Sequence, residues 1–230
     1  MPELMTAEEF VKKREAYSYP AVGLDGTIDD WAPVRFPSTW QMDRHHEELL
    51  ISDQNARAVL GYLSTVFWGY FSGQDGRVRE ARAKSRVKLA LDRIRDGGGE
   101  FGSAATKIRT ASELIASDRC GDALEVLCEL PQLGPAFASK VCAFLAPTRC
   151  GVIDSNIAGN HVQFGFSVDD KGNVKRTSGN VNRYHSYCSL LRETAEKLNG
   201  RGHEFRWRDR DNGLHGWRAV DVERAIFQVT

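Results

Sequence analysis

Two side chains in this sequence carry the chemistry to act together on an electrophilic carbon. Lys140 bears a primary amine, a nucleophile once deprotonated. Asp154, a short way downstream, bears a carboxylate that can accept a proton and stabilise positive charge beside it. Lys140 follows the run Leu130-Pro131-Gln132-Leu133-Gly134-Pro135, and Asp154 closes the run Cys150-Gly151-Val152-Ile153. Work on one carbon requires that the chain bring these two runs together.

The elements around them suit that task. The residues 130–135 read as a tight turn between a helix over 123–129, N-capped by Asp122, and a second helix over 136–146 that stops before Pro147. Pro135 fits the first helical position, where its missing N–H costs little. With Leu133 and Gly134 in the turn, the amides of Gly134, Ala136 and Phe137 can point at an anion such as a phosphate. An ordinary helical hairpin carries the same signature. On the helical wheel Lys140 lies beside Ala136, Phe137, Ala143 and Phe144, at the edge of an apolar stripe that includes Val141. There it either faces a cleft or lays its stem on the core with its head in water. Asp154 is a good N-cap for a helix that begins at Ser155, and a helix N-terminus favours a negative group.

Elsewhere, Thr6 and Glu9 form a capping box for a helix over 7–17, and the Pro- and Gly-containing stretch 18–40 reads as an ordered connector. A long apolar helix is expected over 53–71. Next comes a basic segment with Arg77, Arg79, Arg82, Lys84, Arg86, Lys88, Arg93 and Arg95, closed by Gly97-Gly98-Gly99 as a helix stop and lobe hinge. Further helices are expected over 103–117, 180–198 and 219–228. A β-hairpin is expected from 164–168 and 174–176 across the turn 169–173. The expectation is a mostly α chain, a single unit over 1–230.

Basic and acidic residues balance at 31 each, so the formal net charge is zero. That disfavours a DNA partner, but one basic face can bind phosphates while acidic residues elsewhere cancel the total. The five cysteines form no C-x-x-C pair, and Cys128 and Cys142 read as small core residues. Neither an iron–sulfur cluster nor another metal or cofactor is expected. No signal peptide and no apolar run of membrane-spanning length is visible. A monomer in a reducing, bacterial-type cytoplasm is the expectation.

The hairpin, its lysine and the Ile153-Asp154 dipeptide together resemble the helix-hairpin-helix DNA glycosylase superfamily, above all its 8-oxoguanine DNA glycosylase branch. The resemblance is clearest over 121–160, with weaker echoes at Phe67-Trp68-Gly69 and over 217–227. It implies a two-lobed helical fold in which Asp154 is the catalytic aspartate and Lys140 the Schiff-base lysine. The hairpin at Leu133, Gly134, Ala136 and Phe137 would grip a phosphate. Glu223 and Phe227 match positions that line the base pocket, and Trp68 and Tyr70 are further aromatic candidates for it. Two departures stand out. Gln132 replaces the first glycine of the usual L-P-G-x-G hairpin, and the lysine comes one turn beyond its commonest position, here Ala136. The activity implied is excision of an oxidised or modified purine from double-stranded DNA by base flipping, with AP-lyase cleavage and no cofactor. Alternatives are a defence-associated member acting on a modified phage base or nucleotide, a DNA-binding module without catalysis, and a helical scaffold that keeps Lys140 and Asp154 apart.

Overall fold

The computed structural model describes residues 5–71, 77–97 and 101–227. Helix α1 (Ala7–Glu15) starts at the expected capping box: Thr6 Oγ1 accepts the Glu9 N–H at 3.3 Å, and the Glu9 carboxylate accepts the Thr6 N–H at 2.8 Å. The supposed connector holds an antiparallel ribbon of β1 (Val22–Gly26) and β2 (Trp31–Arg35), with Val22 opposite Arg35. Buried residues of β1 sit on the long helix that follows, where Leu24 N–H donates to Ser64 Oγ at 2.8 Å. Helix α2 (Thr39–Leu50), an element beyond those expected from the sequence, is N-capped by Ser38. It turns Met42, His46 and Leu49 inward at helical spacing.

Helix α3 (Asn55–Phe71) is buried along most of its length and packs against α2 and α4 (Glu80–Asp96). The small buried face of α4 is Ala83, Val87, Ala90 and Leu91; Arg82, Lys84, Lys88, Arg93 and Arg95 face solvent. Gly97 ends α4, whereas Gly98 and Gly99 of the expected hinge lie outside the described residues. Helix α5 (Gly102–Ala116) leads into α6 (Cys120–Leu127) through Asp118, which adopts φ +60°. That turn starts α6 earlier than expected, so Asp122 lies in its first turn. Instead of capping, its carboxylate accepts from Arg119 Nε at 2.6 Å.

The hairpin turn delivers α7 (Pro135–Leu145), then α8 (Ser155–Asn160). The β-hairpin expected over 164–176 is a turn with one isolated bridge, Val168 to Val174. Asp169 closes it by accepting the amides of Lys171 and Asn173, which leaves little ladder to form. Helix α9 (Ser178–Gly200) packs on α6 and on α10 (Ala219–Phe227), and a short ribbon of β3 (Trp207–Arg208) and β4 (Leu214–His215) intervenes. The fold is mostly α, with strands confined to two small ribbons among the described residues. No helix among them is long and apolar enough to cross a membrane.

A buried ion network fastens α10 to the N-terminal helices. Asp43 on α2 accepts from Arg218 at 2.6 Å and from both terminal nitrogens of Arg224, at 2.6 and 2.8 Å. Asp221 accepts from Arg14 of α1 at 3.0 Å and from Arg218 Nε at 2.7 Å. Burial opposes ionisation of Asp221, but Arg218 and Arg14 overcome it and hold the carboxyl well below its usual range. Charges desolvated this thoroughly survive only when fully paired. No local sequence signal announces this constraint on α10, because its partners lie far apart in the chain.

Candidate active site

Gln132 occupies the tip of the hairpin turn with φ +63°, the left-handed region that glycine adopts without strain. The residue that departs from the usual motif thus takes a conformation that favours glycine, at a cost in backbone strain. Its side-chain oxygen accepts from Arg86 Nη1 at 3.2 Å, which joins basic helix α4 to the hairpin. Gly134, by contrast, has φ −88°, which any residue adopts. Two of the four expected anion contacts are committed elsewhere: Leu133 N–H donates to Leu130 and Phe137 N–H to Gly134. The Gly134 and Ala136 amides stand at the open start of α7, with no backbone acceptor among the described residues.

One turn into α7, Lys140 is buried to 8% exposure. Its Nζ lies 5.7 Å from the Trp68 ring centre and 5.5 Å from that of Phe137. Among the described residues, the one sealed side-chain polar atom without a partner is His215 Nε2. Lys140 Nζ, which forms no hydrogen bond among the described residues, thus keeps an opening to solvent. Phe137 stacks on Tyr70 at 4.4 Å, and Arg82 and Arg86 approach the Tyr70 ring at 5.5 and 5.2 Å. Gly69 makes this approach possible, because a Cβ there would stand 2.4 Å from the Phe137 ring.

The segment that carries Asp154 is held peptide by peptide. Cys150 N–H donates to Ala146 at 2.9 Å; Tyr184 and Tyr187, one turn apart on α9, donate to the carbonyls of Gly151 and Val152 at 3.0 and 3.3 Å. Ser139 Oγ accepts the Ile153 N–H at 2.9 Å. A side chain at Gly151 would collide with Leu191 and Glu223, so glycine lets the segment pass between α9 and α10. Asp154 does cap α8: its Oδ1 accepts the amides of Asn156 and Ile157 at 2.9 and 3.0 Å. Both bonds use Oδ1, so Oδ2 remains for other work.

Glu223 on α10 is 3% exposed. Burial pushes its carboxyl up to about 8; Arg224 and Lys140 pull down, and Asp154 pushes up. It thus lies within the electrostatic reach of both Lys140 and Asp154. Trp68 borders the lysine but is otherwise packed, edge-on to Tyr19 and Phe144 with Nε1 donating to Pro20 at 3.0 Å. Tyr70 stands one ring further out, behind Phe137. Phe227, one turn along α10 from Glu223, packs edge-on to Tyr17 at 6.0 Å. The sequence reading missed Ser139, Tyr184 and Tyr187. The signal available for them was a serine beside a buried lysine and two tyrosines at i, i+3 spacing.

A helical hairpin thus sets a buried lysine one turn into α7, near the aspartate-capped start of α8 and beside basic helix α4. The family described as "Putative 8-oxoguanine DNA glycosylase OGG-like protein" matches residues 38–227, and the chain belongs to it. The match spans α2 to α10 and leaves out α1 and the β1–β2 ribbon. No curated protein and no solved structure matches significantly. Membership implies DNA binding and a glycosylase-like role.

Proposed function

We propose that this protein excises an oxidised or otherwise modified purine, of the 8-oxoguanine type, from double-stranded DNA, and that it nicks the abasic strand. A base within the stack cannot present its glycosidic bond to a side chain, so the nucleotide must be rotated out at a cost of a few kcal/mol. The Gly134 and Ala136 amides, with Arg82 and Arg86, would hold the displaced backbone. The purine would then dock beside Lys140, with Trp68 and Glu223, both buried in the free protein, as its candidate neighbours. A Glu223 carboxyl pushed up to about 8 is protonated at neutral pH. It then offers an O–H donor and a carbonyl acceptor to the edge of the base.

Deprotonated Lys140 attacks C1′ as the bond from C1′ to the base breaks, and the bonding electrons leave with the base. Asp154 Oδ2 takes the proton from the attacking nitrogen and stabilises the oxocarbenium character of the sugar. Protonation of the ring oxygen opens the sugar to an imine on Lys140. Loss of a C2′ proton then expels the 3′ phosphate by β-elimination.

The observation that carries this reading is the Ser139–Ile153 hydrogen bond, which ties together the residues just before Lys140 and Asp154. The test is single-turnover release of 8-oxoguanine from a duplex, with other purine lesions in parallel. Asp154→Asn should lower the rate by orders of magnitude and leave duplex affinity nearly intact. Base release from no lesion, with DNA binding retained, would instead mark a DNA-binding module without catalysis.

A further inference from the structure

Three of the five cysteines meet in the core although they are far apart in the chain. Cys120 opens α6, Cys150 opens the segment that carries Asp154, and Cys188 lies in the middle of α9. All three are fully buried, and their sulfur atoms lie within 4.8 Å of one another. Cys120 Sγ and Cys150 Sγ are 3.7 Å apart. Thiolates about 2.3 Å from a tetrahedral zinc ion stand about 3.8 Å from each other, whereas a disulfide needs about 2.05 Å. The Cys120–Cys150 pair, a thiol–thiol hydrogen bond in the absence of metal, already has ligand-shell spacing, and Cys188 Sγ lies within 4.8 Å of both. Two further donors border this triad: His185, one turn before Cys188, has a ring nitrogen within 4.8 Å of Cys120 Sγ and of an Asp118 carboxylate oxygen, and the Cys142 thiol hydrogen-bonds Cys150.

We propose that Cys120, Cys150 and Cys188, completed by His185, bind one zinc ion as a structural site. Sulfur donors favour zinc over magnesium or calcium, which take oxygen ligands. Three thiolates and one zinc ion carry a net negative charge, and a cation stands beside them. Arg192 pairs with Asp118 at 2.5 Å, close enough for its charge to act on Cys120 and Cys188. The ion would clamp α6, α9 and the Asp154 segment to one point. Its role is architectural and does not depend on the excision chemistry proposed above.

The test is metal analysis of the full chain purified under reducing conditions without chelator. About one zinc per chain is expected. Cobalt added to the stripped protein should give thiolate-to-cobalt charge-transfer bands in the near ultraviolet and the visible bands of a tetrahedral ion. Cys188→Ser should reduce bound zinc at least several-fold, and His185→Ala should weaken binding while the charge-transfer bands remain. Cys128→Ser, which changes a cysteine outside the cluster, should keep the full zinc content. Should Cys188→Ser fail to fold, the wild-type cobalt spectrum decides. Metal-free protein with no cobalt charge transfer, a different metal at full occupancy, or a disulfide between Cys120 and Cys150 would overturn the proposal.

Discussion

Ser139 Oγ accepts the backbone N–H of Ile153 at 2.9 Å, and each of these residues immediately precedes a member of the candidate pair, Lys140 and Asp154. One buried hydroxyl thereby sets the distance between α7 and the start of α8. Ser139→Ala would orphan the Ile153 amide and cost about 1–3 kcal/mol. It should also slow single-turnover base release by about tenfold or more, because reacting groups tolerate little misplacement. Denaturant unfolding and duplex titration separate these effects, and duplex affinity should hold.

Glu223 gives the protein a pH signature. Its folded carboxyl keeps a proton up to about pH 8, whereas the unfolded one ionises near the ordinary value of 4.5. Between those values the folded state binds the extra proton, so this group lowers stability as pH rises and adds no further change above about 8. Glu223→Gln should therefore raise the melting temperature by several degrees at pH 8 and change it little at pH 4. Excision should also decline above about pH 8, and Glu223→Gln should abolish that limb. Melting curves and rate–pH profiles of both proteins check it.

Asp43 holds two buried arginines, Arg218 and Arg224. Asp43→Ala leaves both charges without this partner and should destabilise the chain by about 3–5 kcal/mol, read from denaturant midpoints. Glu223 sits on the helix that this network anchors. Excision should therefore fall even where the variant is still folded.

Arg86 should behave differently. It bridges α4 to Gln132 and lies over Tyr70, beside the hairpin. Arg86→Ala should weaken binding to duplexes of any sequence and lower the slope of log affinity against log salt by about one. An unchanged slope would remove Arg86 from the phosphate contacts.

The legible parts of this protein were those specified over short sequence distances. The Thr6–Glu9 capping box, Pro135 at a helix start and Asp154 before Ser155 each dictate local backbone hydrogen bonds, and each element formed where expected. Lys140 stood out because it interrupts an apolar face. What stayed hidden depends on partners distant in the chain. Asp43 looks like any exposed acid on a helix until Arg218 and Arg224 arrive from the other end. Cys120, Cys150 and Cys188 likewise show no shared spacing until α6 and α9 pack together. Asp122 misled for a local reason: Asp118 can adopt a left-handed turn, so the preceding helix ends and the next begins sooner than a capping rule allows.

Borohydride trapping tests the pairing of Lys140 with Asp154 most directly. Reduction of the protein with abasic or lesion-bearing duplex should leave a covalent protein–DNA adduct that maps to Lys140 and is lost in Lys140→Gln. With lesion-bearing duplex, adduct should form much more slowly in Asp154→Asn. An adduct that persists in Lys140→Gln, or no adduct with any duplex that the protein binds, would contradict the account.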